Sequence, residues 1–243
     1  MSKPEMISGI IPGYEIDESR IDEGEIDGCR MDKGRALRII VIRHGQTDWN
    51  REGRYLGHTD MPLNEEGRRQ AQEAADHLKA EHFAAIYASD LRRTMETAWI
   101  IARPHGLTVN PVPGLREMNF GAWDGLTYEE IIGGYGDMAR RWFDDPTAVT
   151  PPGGESVVQV WSRVVNALDT VYESEIRSRA SGTVAIVTHG GPIRVVRCLL
   201  EHRSPADLWK VRHAAHGTIA GTFLIEPSLR LSELPSCLAQ ARV

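Results

Sequence analysis

From residue 36 onward, short apolar runs alternate with longer stretches in which apolar residues recur every three or four positions. Residues 37–42 form a compact run, Leu-Arg-Ile-Ile-Val-Ile, the signature of a parallel strand buried on both faces. Residues 84–88 and 183–187 read as strands in the same way. A helix is predicted over 65–81, with Asn64 as N-cap and Ala71, Ala74, Ala75 and Leu78 as its inward stripe. A second helix is predicted over about 90–103. Beyond the turn-rich Thr150-Pro151-Pro152-Gly153-Gly154, Ser156 and Gln159 form a capping box. That box opens a long helix with Val157, Trp161, Val164, Leu168 and Val171 on one face, and a further helix is entered near Pro192 after the last strand. Strands alternating with helices predict an α/β fold, a three-layer αβα sandwich with a largely parallel central sheet, in a single domain over 36–243.

Composition narrows the class. The chain has 243 residues, 41% apolar and 26% charged, which suits a soluble globular protein. No apolar run approaches the roughly 18 residues of a membrane span, and no basic segment followed by an apolar one marks the amino terminus for secretion. Three widely spaced cysteines, Cys29, Cys198 and Cys237, form neither a disulfide framework nor a metal pair, so a reducing, cytoplasmic setting is expected. The net charge of −6 is uneven. Residues 1–34 hold nine acids against four bases, and the rest of the chain holds 25 against 24. So nearly neutral a body argues against a nucleic-acid partner.

The acidic excess lies in a five-residue repeat, Ile16-Asp17-Glu18-Ser19-Arg20, Ile21-Asp22-Glu23-Gly24-Glu25, Ile26-Asp27-Gly28-Cys29-Arg30, Met31-Asp32-Lys33-Gly34-Arg35. Its period matches neither helix nor strand, and its aspartates do not follow an EF-hand loop. Residues 1–35 are therefore read as an acidic, flexible extension, with Met31 as an alternative natural start.

Two strands end alike. The first runs into Arg43-His44-Gly45 and the later one into Thr188-His189-Gly190-Gly191. Parallel sheets place ligand sites at the carboxyl ends of their strands, so both histidines can meet there. Ser89-Asp90-Leu91-Arg92-Arg93 brings two more cations to the start of the second helix. Arginine, histidine and a helix terminus together suit a phosphoryl group. There is no GxxxxGK[ST] loop and no HExxH, and His213 with His216 lacks a carboxylate at ligand spacing, so no metal and no cofactor are assigned.

These residues resemble the histidine phosphatase superfamily, in the branch shared with cofactor-dependent phosphoglycerate mutases. The likeness rests on Arg43-His44-Gly45-Gln46-Thr47-Asp48-Trp49-Asn50, Gly57-His58-Thr59-Asp60-Met61-Pro62-Leu63-Asn64, Ser89-Asp90-Leu91-x-Arg93, Leu115-Arg116-Glu117-Met118-Asn119-Phe120-Gly121, Pro152-Gly153-Gly154-Glu155-Ser156 and Thr188-His189-Gly190. It implies His44 as nucleophile and Glu117 as proton donor, protonated at the outset. Arg43, Arg93 and a protonated His189 would hold the phosphoryl group, with Thr47, Asn50, Gly57 and Gly190 as further contacts.

The reaction implied is metal-independent hydrolysis of a small-molecule phosphomonoester through a phosphohistidine. Mutases of this branch carry arginine after the acid glutamate, an aromatic hydroxyl two positions later and asparagine after the second His-Gly. Here those places hold Met118, Phe120 and Gly191, which favours a phosphatase. Arg140-Arg141 is similar to a mutase arginine pair and keeps mutase activity as the alternative. The motifs around Gly57 and Glu117 look most like α-ribazole phosphatases and related broad-specificity phosphatases, making α-ribazole 5′-phosphate a candidate substrate. Met118, Phe120, Trp123, Tyr128, Trp142 and Phe143 suggest an apolar rim for a nucleoside-like or aromatic leaving group, with service in the core as the alternative for several of them. A phospho-ligand-binding module without activity is a third reading, disfavoured because both His44 and Glu117 are present. Oligomeric state is left open, a homodimer included.

Overall fold

The computed structural model describes residues 37–178 and 182–225. The pentapeptide repeat, Cys29 and Cys237 lie outside them. The elements in chain order are β1 (Leu37–Arg43), α1 (Asp48–Arg51), α2 (Glu65–His77), β2 (Phe83–Ala88), α3 (Arg92–Ala102), β3 (Val109–Pro111), α4 (Tyr128–Asp144), α5 (Val157–Ser178), β4 (Thr183–Thr188), α6 (Gly190–Leu200) and β5 (Ile219–Ile225). The sheet order is β3-β2-β4-β1-β5, with every pairing parallel except β1 with β5. The expected largely parallel α/β sandwich is present.

Period-two alternation in β1 shows why its run is apolar throughout. Ile39 and Val41 join one buried cluster with Val184, Ile186 and the inner faces of α5 and α6. Ile40 and Ile42 face the other way, into Ala185, Val187, the α2 residues Ala74 and Ala75, and Ile101 of α3. Each strand residue thus stabilises one of two cores, and removing a buried isoleucine side chain would cost about 2–5 kcal/mol.

Local signals were realised where they close within a turn. Asn64 accepts from Gly67 N at 2.8 Å, and Ser156 and Gln159 bond reciprocally at the start of α5. α2 ends at His77 rather than residue 81, with Leu78 buried as its C-cap. α3 starts at Arg92 rather than residue 90, because Asp90 instead takes a forked pair of bonds from Arg116, both 2.6 Å, while Leu91 stays extended. α4 was not expected from the sequence, and it is broken by Gly136 (φ 50°, ψ −123°), a conformation open to glycine.

The register carries these elements to one edge. Arg43 lies opposite Thr188, so β1 and β4 finish level and His44 and His189 follow as neighbours. Ser89 N donates to Val187 O at 3.0 Å, bringing the end of β2 to the same place.

Candidate active site

His44 and His189 stand edge to face with ring centroids 5.0 Å apart, both buried. His44 Nδ1 is 2.7 Å from Gly45 O. A carbonyl only accepts, so Nδ1 carries the proton and Nε2 keeps its lone pair. Burial lowers the His44 pKa well below 6.5, and the charges of Arg93 and Arg43 push it the same way. The ring is neutral and held in a fixed tautomer, with an unshared pair on Nε2.

Arg93 is fully buried. Its Nε donates to His189 Nδ1 at 3.2 Å, Nη2 to Gly57 O at 2.7 Å and Nη1 to Thr59 O at 3.1 Å. Two of its five N–H groups, one on each Nη, remain for another acceptor. Arg92, its neighbour, instead pairs on the surface with Glu96. Asp124 braces the loop that receives Arg93, accepting from Gly57 N at 2.7 Å and Thr59 N at 3.0 Å. Gly57 therefore acts through its carbonyl on Arg93, and its N–H is not free to contact phosphate as the sequence suggested. A Cβ there would stand 2.6 Å from Met118 O.

The expectation of a protonated His189 is corrected here. Its Nδ1 accepts from Arg93, so Nε2 bears the only ring proton and donates to Ser89 Oγ at 2.9 Å. Burial, then the Arg93 charge, lowers its pKa well below 6.5. Ser89 thereby gains a role that its place in a motif alone does not reveal.

Arg43 donates to Ala214 O at 2.7 Å through Nη1, and its Nε is buried without a partner among the described residues. Burial lowers its pKa to about 10, against the opposing pull of Glu117, so it stays cationic at neutral pH. Glu117 is held across from it. Its Oε1 accepts from Met118 N at 2.8 Å and Gly191 N at 3.1 Å. The Gly190 Cβ position lies 3.6 Å from Glu117 Oε2 and 3.7 Å from Arg43 Nη2, so the first residue of α6 sits between acid and arginine. As that first residue, Gly190 has no intrahelical partner for its N–H. The backbone behind Glu117 is clamped by Arg163, which donates to the carbonyls of Gly114, Arg116 and Glu117 at 2.6–3.0 Å and to the Glu155 carboxylate at 2.8 Å.

Thr47 and Asn50 form the capping box of α1. Thr47 Oγ1 accepts from Asn50 N, leaving its own proton able to donate. α2 registers the loop after His44 from behind: Gln70 Oε1 accepts from Gln46 N at 3.0 Å, and the backbones of Gly45 and Gly67 touch so closely that a Cβ on either would overlap the other segment. Thr97 of α3 accepts from Gly45 N at 3.1 Å and donates to Arg93 O at 2.8 Å, joining that loop to the Arg93 backbone.

The apolar rim is corrected in part. Met118, Phe120, Trp123 and Trp142 are buried core residues, whereas Tyr128 is exposed and Phe143 partly so. Arg140 pairs with Asp137 on the exposed side of α4. In their place the structure brings His213, His216 and Arg194 toward Arg43, none of which had a sequence signal for this site. The His216 ring lies 5.6 Å from that of His44. Burial and the Arg43 charge lower its pKa to about 3.

Known proteins resemble this chain along most of its length. The profile described as histidine phosphatase superfamily (branch 1) matches residues 39–223. Phosphoserine phosphatase 1 of Hydrogenobacter thermophilus is 38% identical over 71% of this chain and 80% of its own length. A 2,3-bisphosphoglycerate-dependent phosphoglycerate mutase 2 of Gloeobacter violaceus is 31% identical over 75% of this chain and 88% of its own. Among solved structures, a mycobacterial glucosyl-3-phosphoglycerate phosphatase in complex with VO3 superposes with a TM-score of 0.69 at 32% identity, covering 77% of this chain and 90% of that one.

Proposed function

The chain belongs to the histidine phosphatase superfamily, and on that footing we propose that it is a metal-independent phosphomonoester hydrolase acting through a phosphohistidine on His44. The observation that carries the reading is the His44 tautomer: with Nδ1–H bonded to Gly45 O, the lone pair on Nε2 is available in line with a phosphoryl group between Arg43 and Arg93. Nε2 attacks phosphorus, the P–O ester bond breaks, and Glu117 gives its proton to the departing alkoxide. A water molecule then yields a proton to the Glu117 carboxylate and attacks phosphorus. The P–N bond breaks, and inorganic phosphate leaves. Both guanidiniums are fixed before the reaction, which is how charge on the equatorial oxygens is met without a metal ion. His189 orients Arg93 through its unprotonated Nδ1. Thr47, Asn50 and Gly190 supply further donors to the phosphoryl oxygens.

The substrates named for the relatives, phosphoserine and glucosyl-3-phosphoglycerate, belong to the test panel with α-ribazole 5′-phosphate and p-nitrophenyl phosphate. The mutase reading is kept by the mutase relative at 31% identity. Against it, Gly191 offers no side chain at the place where the mutases carry asparagine. The deciding experiment measures phosphate release and interconversion of 2- and 3-phosphoglycerate on one preparation, with and without 2,3-bisphosphoglycerate. Phosphate release should dominate. Bisphosphoglycerate-dependent interconversion faster than hydrolysis would reverse the assignment.

A further inference from the structure

One cation of the site has no task in the phosphoryl chemistry. Arg194 follows Gly191 by one turn of α6, on the same face. Gly191 N–H holds the Glu117 carboxylate, and the Glu117 charge reaches Arg194, so the guanidinium stands near the acid that would protonate the leaving group. Its guanidinium is fixed from two directions: Nε donates to Val211 O at 3.1 Å, and Cζ lies 5.1 Å from the centre of the Trp209 ring. Trp209 is itself anchored, donating through its indole N–H to Trp142 O at 3.1 Å. Among the described residues neither Nη of Arg194 has a hydrogen-bond partner, and no carboxylate lies within ion-pair distance of it. Every other arginine bonded within this site uses its terminal nitrogens on protein oxygens: Arg43 on Ala214, Arg93 on Gly57 and Thr59, Arg163 on Glu155 and three carbonyls.

A half-buried guanidinium without a counter-ion is costly, and burial does lower the Arg194 pKa, with the Glu117 charge opposing. Held through Nε and one face, it directs its Nη pair elsewhere, which is the fork that grips a planar anion. The other charges within reach, Arg43 and Glu117, are already committed to the phosphoryl chemistry of the reading above. His213 is brought down to about 4 by burial and the Arg194 charge, so it is neutral at pH 7. Tyr55, pushed up to about 12 by burial, keeps its proton. A single positive charge matches a carboxylate better than a second phosphate dianion.

We propose that Arg194 is a specificity residue that binds a carboxylate on the leaving group, so that the preferred substrates are phosphate esters of small hydroxy acids. This rests on the hydrolase reading given above. Arg194 is a position other than Met118, Phe120 and Gly191, the three places where the mutase groups are missing.

Two substrate pairs isolate that group. O-phosphoserine differs from O-phosphoethanolamine by the carboxylate alone, and 3-phosphoglycerate differs from glycerol 1-phosphate by carboxylate against hydroxymethyl. The wild-type protein should favour the carboxylated member of each pair in kcat/KM by about tenfold or more, as a charge-assisted contact implies. Arg194→Gln should bring each ratio close to one, and Arg194→Lys should restore part of it. Ratios cancel any general change at Glu117, and a thermal melt identifies a variant that fails to fold. In that event the wild-type ratios and competition by glycerate against glycerol in p-nitrophenyl phosphate hydrolysis decide. Equal kcat/KM within the wild-type pairs, or ratios that survive Arg194→Gln, would overturn the proposal. If no ester at all is hydrolysed, the hydrolase reading fails instead. Equilibrium binding of the same pairs then judges Arg194, with tighter phosphoserine binding lost in Arg194→Gln as support and equal binding as refutation.

Discussion

Arg93 Nε faces His189 Nδ1 across 3.2 Å, a cation donating to a ring nitrogen that is thereby kept without a proton. His189 then serves as an acceptor that aims a guanidinium. His189→Asn preserves a short acceptor at the Nδ1 position, and His189→Ala removes it. Both should lower kcat/KM, with the alanine variant at least about tenfold worse, the cost of leaving a buried charged donor unpaired. Equal losses in the two would refute the orienting role.

His44→Ala removes the lone pair that would bond to phosphorus. Turnover should fall by at least about 1,000-fold, because losing a covalent nucleophile removes the route itself. Wild-type protein quenched in alkali after mixing with substrate should carry phosphate on histidine, and the variant should carry none. The midpoint of thermal unfolding should hardly move.

Three imidazoles, His44 and His189 buried and His216 partly so, make stability depend on pH. His44, His189 and His216 have folded pKa values below the unfolded value near 6.5. Above that value both states are unprotonated and nothing is lost. As pH falls below it, the unfolded chain takes up protons that the folded chain refuses, so each histidine removes about 1.4 kcal/mol of stability per pH unit until its folded pKa is reached. Unfolding curves in urea should be superimposable from pH 8 to 7 and shift steeply to lower urea between pH 6 and 5. A flat profile through pH 5 would contradict the buried, neutral assignment.

Glu117 needs its backbone held, and Arg163 holds three carbonyls of that segment together. Glu117→Gln removes the proton donor and Arg163→Met loosens it. Each should slow alkyl phosphates by about tenfold more than p-nitrophenyl phosphate, whose leaving group needs little protonation. An equal effect on both classes of ester would mean that neither residue serves proton transfer.

If Arg43 and Arg93 supply the positive charge that the proposed hydrolysis needs, excess EDTA should leave the rate of phosphate release unchanged. A chelator-sensitive rate restored by magnesium would contradict this account.

Much of the site is legible in sequence because it is built from strand ends. His44 and His189 end apolar runs whose period is visible, and the Ser156–Gln159 box closes over three residues. What hides is set by partners far along the chain. The tautomer of His189 depends on Arg93, 96 positions away, and on Ser89, 100 positions away. Met118 and Phe120 flank the acid and read equally well as pocket wall or core; packing against Tyr55 and Trp142 decides for core. Arg194 looks like an ordinary charged position of an amphipathic helix until Val211 and Trp209 are brought beside it. β5 escapes detection because Gly221 and Thr222 interrupt its apolar residues.

The touch between Gly45 and Gly67 is made by backbone alone, so it offers no side chain through which substitution could adjust it. It behaves as a fixed pivot beneath the nucleophile. The rim around Arg194, with Tyr55, Trp209 and His213, is made of side chains and can be re-cut one residue at a time. Selection for a new leaving group would therefore act on that rim while the reacting atom keeps its place. The fold thus divides the pocket into a wall that cannot drift and a wall that can.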